Sequence, residues 1–242
     1  MRSMILGAIC CVFSASAALA DDGGQCQLSQ TIIDKVQKQL PPVTHLSDGN
    51  GGIFKPNRMW SAIVERDGNL CSIINTDRTN GDAWPGSRAI AIAKAETAND
   101  FSNSALALST ANLYAATQPG GSLYGLNNSN PFNPVFNGPI APGLPGRQGG
   151  PGGVPGGIIT FGGGVALYSG GQVIGGLGVS GDSSCADHAI AYRMRRSAGF
   201  NAIPAGVGFG GTDNIDYAPA GQSPTGFQQP HCFPQDIPSG QI

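Results

Sequence analysis

Charge is scarce in this 242-residue chain: Asp, Glu, Lys and Arg make up 12 %, as 13 basic and 15 acidic residues with a formal net charge of −2. No basic stripe with interleaved aromatics occurs, so the electrostatic footprint of a nucleic-acid or anionic-lipid surface is missing. No stretch offers the ~20 consecutive apolar residues that a membrane span needs. Internal repeats are absent, and the Gly/Pro-rich stretches lack the strict triplet of collagen. Nucleotide and nucleophile signatures are incomplete. Gly176-Leu177-Gly178-Val179-Ser180-Gly181 fits G-x-G-x-x-G between a strand and a helix. Yet no second parallel strand follows, and no acidic residue stands about 20 positions on to hold a ribose. The run therefore reads as a glycine-rich strand and turn. Asp182 replaces the last glycine of a nucleophile elbow, and no phosphate loop with a Lys-Ser/Thr ending is present.

What is present begins with an export signal. Arg2 precedes an apolar run from Met4 to Phe13, and Ala18-Leu19-Ala20 forms a small-residue cleavage site before Asp21-Asp22. Residues 1–20 are expected to be a signal peptide cleaved after Ala20, which predicts a periplasmic or secreted protein. Cys10 and Cys11 lie too early for a lipoprotein signal. Cys26, Cys71, Cys185 and Cys232 remain, and an exported chain would pair them as two disulfides. Three pairings are possible. Cys26–Cys71 with Cys185–Cys232 is the expected one, because each bridge ties a terminal segment to a neighbouring core element. The alternative is a metal site of Cys185, His188, His231 and Cys232. Against it, adjacent His231 and Cys232 would point apart in an extended tail.

The 38 glycines and 18 prolines crowd into residues 119–164 and again from 204 onward, separating patterned blocks from loop and tail. In the first block, Ile32, Ile33, Val36 and Leu40 predict a helix over Leu28–Leu40 that stops at Pro41-Pro42. Met59–Val64 and Leu70–Ile74 read as strands joined by the hairpin signal Arg66-Asp67-Gly68-Asn69. Ser87 is expected to cap a helix to about Phe101, and Ser109 or Thr110 to start a shorter one ending before Pro119. In the second block, Ile158–Phe161, Val165–Tyr168 and Val173–Val179 read as strands, with glycines in the last that suggest close backbone packing. Ser184 begins a helix that Gly199 ends, with Asp187 in a capping-box position and Arg193, Arg195 and Arg196 favoured by the dipole. Hairpins with helices between them predict an α+β fold with a mostly antiparallel sheet. Residues 201–242 read as an extended tail pinned by Cys232.

Three side chains stand out. Lys94 and Thr97 share a stripe with Ile90 and Phe101, while Ile92 and Ala95 lie opposite, so this helix is buried on both sides and its polar groups need partners. Either they line a ligand pocket, or Lys94 snorkels and Thr97 bonds back to its own helix. His188 shares a helix face with Cys185 and Tyr192 and reads more readily as a surface or interface histidine than as a ligand. His45 lies in a polar Gly-rich loop. Cys185-Ala186-Asp187-His188 lacks the second cysteine of a covalent haem attachment.

Together these segments resemble the GlcG/HbpS family of haem-binding and accessory proteins, related to the C-terminal domain of PduO-type proteins. The resemblance is carried by Val64 to Leu70, Ser87-Arg88-Ala89-Ile90-Ala91, Lys94-Ala95-Glu96-Thr97-Ala98 and Pro119-Gly120-Gly121-Ser122-Leu123-Tyr124-Gly125-Leu126. Phe161 to Gly164 and Val173 to Gly181 follow, with Asp187 beyond. It spans about residues 55–200. It implies a profilin-like, five-stranded antiparallel sheet flanked by helices in a domain over 21–200, assembly with copies of itself, and haem as cofactor. No catalytic residues are implied. Lys94 would meet a propionate, Thr97 would be an oxygen ligand or hydrogen-bond donor, and His188 the conventional axial candidate. The Gly/Pro-rich insertion at 127–157, the four cysteines and the tail at 201–242 depart from the short family pattern. The expected function is an exported haem- or tetrapyrrole-binding protein for storage, sequestration or sensing. The alternative is a non-catalytic scaffold or accessory subunit of a periplasmic oxidoreductase; an enzyme using Lys94 as base or Schiff-base former comes last.

Overall fold

The computed structural model describes residues 26–76, 82–137 and 153–242. The expected signal peptide, and residues 138–152 of the expected insertion, lie outside the described residues.

Ser29 accepts the Ile32 N–H and starts α1 (Gln30–Gln37), whose Ile33 and Val36 are buried. Pro41-Pro42 does not end the helical region as the sequence pattern suggests. The prolines occupy the first turn of a second short helix, α2 (Leu40–Thr44), where the missing N–H groups would have had no partner. Strands β1 (Trp60–Glu65) and β2 (Leu70–Asn75) form the expected hairpin, with Gly68 at φ 87° in its turn. Helix α3 (Ser87–Asp100) begins at Ser87, and its N-cap is Gly86. Ser109 caps a 3₁₀ turn that runs into α4 (Tyr114–Thr117). Strands β3 (Gly164–Ser169) and β4 (Gln172–Ser180) follow, then α5 (Ser184–Ala198), closed by Gly199 at φ 75°. Its N-cap is Ser183 rather than Ser184.

The fold is α+β, with one antiparallel sheet in the order β2-β1-β4-β3. Among the described residues the sheet has four strands, not five. The missing one is Ile158–Phe161, which is irregular backbone. Within it Ile159 N–H donates to Thr97 Oγ1, and just beyond it Gly162 N–H donates to Gln229 Oε1. Glycines at positive φ on both sides, Gly157 at 91° and Gly163 at 123°, turn the chain away from the ladder.

Strand alternation divides the core into two layers. Ile63, Val165, Leu167, Leu177 and Val179 meet α1, α2 and α5, while Trp60, Ala62, Val64 and Ile73 meet α3. Under α3 the sheet is floored with small residues, since Ala62 and Gly164 flank Gly178, and Val64 and Ala166 flank Gly176. A Cβ at Gly178 would overlap Ala91 O, one at Gly176 would overlap Ala95 O, and one at Gly164 would overlap Lys94 O. The G-x-G-x-x-G run is therefore a seat for a helix backbone. Both bridges, Cys26–Cys71 and Cys185–Cys232, are formed as expected. Gly178→Ala should cost about 3 kcal/mol or more, because overpacking here meets backbone that cannot rotate away. Urea unfolding of parent and variant checks this.

Candidate functional site

Helix α3 lies so close to the sheet that Lys94 passes the start of β3 and reaches the layer beyond. Its Nζ lies 2.6 Å from Asp187 Oδ2 on α5 and donates to Val179 O at 3.2 Å. The Phe161 ring centroid is 4.9 Å from the ammonium, a cation–π contact. The lysine is fully buried and the aspartate 2 % exposed. Burial pulls the Lys94 ammonium down, against the opposing effect of Asp187; burial raises the Asp187 carboxyl to about 6, against the pull of Lys94. A Cβ on Gly163 would lie 2.7 Å from Lys94 Nζ and 2.9 Å from Asp187 Cβ. Glycine at φ 123° is what leaves room for the pair. Asp187 Oδ1 also accepts the Asp182 N–H at 3.0 Å. Asp187 thus serves the lysine and the helix entry, not the capping box read from the sequence.

Thr97 is equally engaged. Its hydroxyl donates to Ala93 O at 2.7 Å and accepts the Ile159 N–H at 2.9 Å. The back-bonding reading of Thr97 is therefore correct, and Lys94 does not snorkel. Both side chains are fully buried, and the protein's own groups take both polar ends.

His188 is not at the surface. It is fully buried, beneath the tail, and 5.8 Å from the ring of Tyr192. The Ile215 N–H points between Asn214 Oδ1, at 2.8 Å, and His188 Nε2, at 3.0 Å; Asn214 Oδ1 also lies 3.0 Å from Nε2. A carboxamide oxygen only accepts, so that last contact is a bond when Nε2 carries the proton. Nδ1 then keeps a lone pair with no partner among the described residues. Burial, reinforced by the positive charges of Arg195 and Lys94, holds the imidazole down at about 4 despite Asp213 and Asn214. It is neutral at pH 7. His231 does not join His188; it stacks on Tyr217 with centroids 4.1 Å apart and pairs with Asp236. His45 bonds locally to Pro41 O.

Two features escaped the sequence reading. Arg195 clamps Asp213 of the tail with bonds of 2.5 and 2.6 Å, both residues being buried. Its position among three arginines at a helix end pointed only to the dipole. Glu96 is 1 % exposed, and among the described residues neither carboxyl oxygen has a hydrogen-bond partner of good geometry. Burial, with the nearby Asp100 carboxylate, pushes it to about 9, against a smaller pull from the Gly156 N–H. A lone acid between Ala95 and Thr97 on a helix already read as buried was the available signal.

Residues 55–195 match the model of a family described as "Haem degrading protein HbpS-like". No curated protein matches the chain. Among solved structures, the chain is similar to a PduOC–haem complex at 25 % identity, with 70 % of this chain and 94 % of that one covered and a TM-score of 0.49. The Klebsiella pneumoniae protein ORFY is similar at 23 % identity over 75 % of this chain and 98 % of that one, with a TM-score of 0.50; this likeness shows the fold. A double mutant of Streptomyces reticuli HbpS is 16 % identical, covering 82 % and 96 %, with a TM-score of 0.36.

Replacing Lys94 by Met should strand the Asp187 carboxylate and cost about 3–5 kcal/mol, whereas Lys94→Met with Asp187→Leu should recover most of it. Urea melts of the single and double variants measure both. For Glu96 the folded value, about 9, lies above the ordinary 4.5. Its contribution is complete below the lower value and is lost as pH rises through the upper. Glu96→Gln should remove that loss, so the variant gains stability over the parent as pH rises, by a few kcal/mol near pH 9. Unfolding midpoints across that range are the readout.

Proposed function

The chain belongs to the HbpS-like family, and from that premise we propose that it is an exported haem- or tetrapyrrole-binding protein with a role in storage, sequestration or sensing. The observation that carries the reading is the family match over residues 55–195. Two disulfides support export to an oxidising compartment. Among the described residues no helix is long and apolar enough to cross a membrane. The proposal keeps residues 1–20 as the signal peptide, 21–200 as the family domain and 201–242 as the tail, with assembly into homo-oligomers.

The proposed ligand-binding residues remain Lys94, Thr97 and His188. For Lys94 and Thr97 to meet a flat guest, segment 158–161 has to lift, since Thr97 holds Ile159 N–H and the Phe161 ring covers the ammonium. His188 has the right chemistry for an axial ligand, a neutral ring whose Nδ1 has no partner among the described residues. Asn214 and Ile215 hold the opposite nitrogen, Nε2, and so fix the orientation of the ring.

The second reading, a non-catalytic scaffold or accessory subunit of a periplasmic oxidoreductase, is favoured by one observation. Lys94 and Thr97 are satisfied by the protein itself and need no ligand. Haemin titration followed by absorbance separates the two. The haem reading expects a Soret shift that saturates at micromolar protein, and a flat titration leaves the scaffold. His188→Ala with an unchanged Soret band would remove histidine from the iron.

A further inference from the structure

The tail meets the start of α5 through more than a covalent staple. Cys232 Sγ accepts the Cys185 backbone N–H at 3.2 Å and lies 3.3 Å from Ser184 Oγ. Ser184 Oγ accepts from Gln229 Nε2 at 3.0 Å, which leaves its own proton for the sulfur. A sulfur held by two donors at the N-terminus of a 15-residue helix is set up to carry negative charge. Beside it stands Asp236, whose side chain is 1 % exposed. Asp236 Oδ2 accepts the N–H groups of Cys232 at 2.6 Å and Phe233 at 3.1 Å and meets His231 Nδ1 at 3.3 Å. Oδ1 is buried and has no partner among the described residues. One ligand atom each from Cys185, Cys232 and Asp236 lie within 4.8 Å of one another.

We propose that Cys185, Cys232 and Asp236 form a redox-convertible site, a disulfide when oxidised and a binding site for a thiophilic divalent cation of the zinc class when reduced. Two thiolates and a carboxylate are a three-ligand set for tetrahedral zinc, with a fourth position for water. The backbone donors that hold Asp236 and Cys232 do the orienting that a metal site requires of its surroundings.

Conversion needs a dithiol reductant. Its thiolate attacks Cys232 Sγ, the more exposed of the pair, forming a mixed disulfide and expelling the Cys185 thiolate. The second thiolate of the reductant closes on the mixed disulfide and releases Cys232 as thiolate. Two electrons pass to the cysteine pair, the reductant becomes a disulfide, and the cation replaces whatever protons the two sulfurs have taken up.

The test uses the whole chain, reduced with a phosphine, exchanged into anaerobic buffer and titrated with Co²⁺ as the probe. A sulfur-to-cobalt charge-transfer band saturating at one equivalent is expected, with no band in the oxidised chain. Cys232→Ser should abolish it, and Asp236→Asn should weaken binding at least tenfold. No band in the reduced chain, a band that survives Cys232→Ser, or undiminished binding by Asp236→Asn overturns the proposal. Asp236→Asn nearly preserves shape, so it decides the matter should the serine variant not fold; near-ultraviolet circular dichroism checks each variant.

Discussion

The close approach of helix α3 to the sheet organises the molecule. It is possible because Gly164, Gly176 and Gly178 present bare backbone where any other residue would collide with the carbonyls of Ala91, Lys94 and Ala95. Seated that low, α3 sends Lys94 past Gly163 to Asp187 on the opposite side. A buried ion pair contributes little net stability on its own, since desolvation opposes the attraction. Its effect here is geometric: it fixes how α3 and α5 sit around one end of the sheet, and breaking it leaves an uncompensated charge in both layers.

This arrangement changes how the family resemblance reads at the level of residues. Lys94 and Thr97 keep their expected places on α3, and both are bonded to groups of the protein itself. His188, assigned by pattern to a surface or interface face, is enclosed because the tail folds over it. That tail is held by the Arg195–Asp213 clamp, the Asn214 contact and the Cys185–Cys232 bridge. Segment 158–161 covers Lys94 and Thr97 on α3, and the tail covers His188 on α5.

Much of the fold was legible. Short β-rich runs between turn signals marked β1, β2, β3 and β4, glycines marked close packing, and Gly199 marked the end of α5. Ile158–Phe161 failed because a short apolar run has the composition of a strand whether or not a neighbour supplies a ladder; here the Thr97 side chain takes the Ile159 N–H instead. Pro41-Pro42 misled because proline ends one helix and begins another with equal ease. The candidate site was harder. The sequence marks Lys94 and Thr97 as polar groups in apolar company, but their partners Asp187, Val179 and Ile159 lie 62 to 93 positions away, a separation that no local periodicity reads.

Helix α3 has few residues facing water: Ala91 through Asn99 are all buried. Most flanking helices keep a wet side on which substitutions are nearly neutral. An inner axle of this kind lacks that freedom. Changes along it are constrained by the sheet on one side and by the covering segments on the other, so diversification has to occur in the wrapping around it.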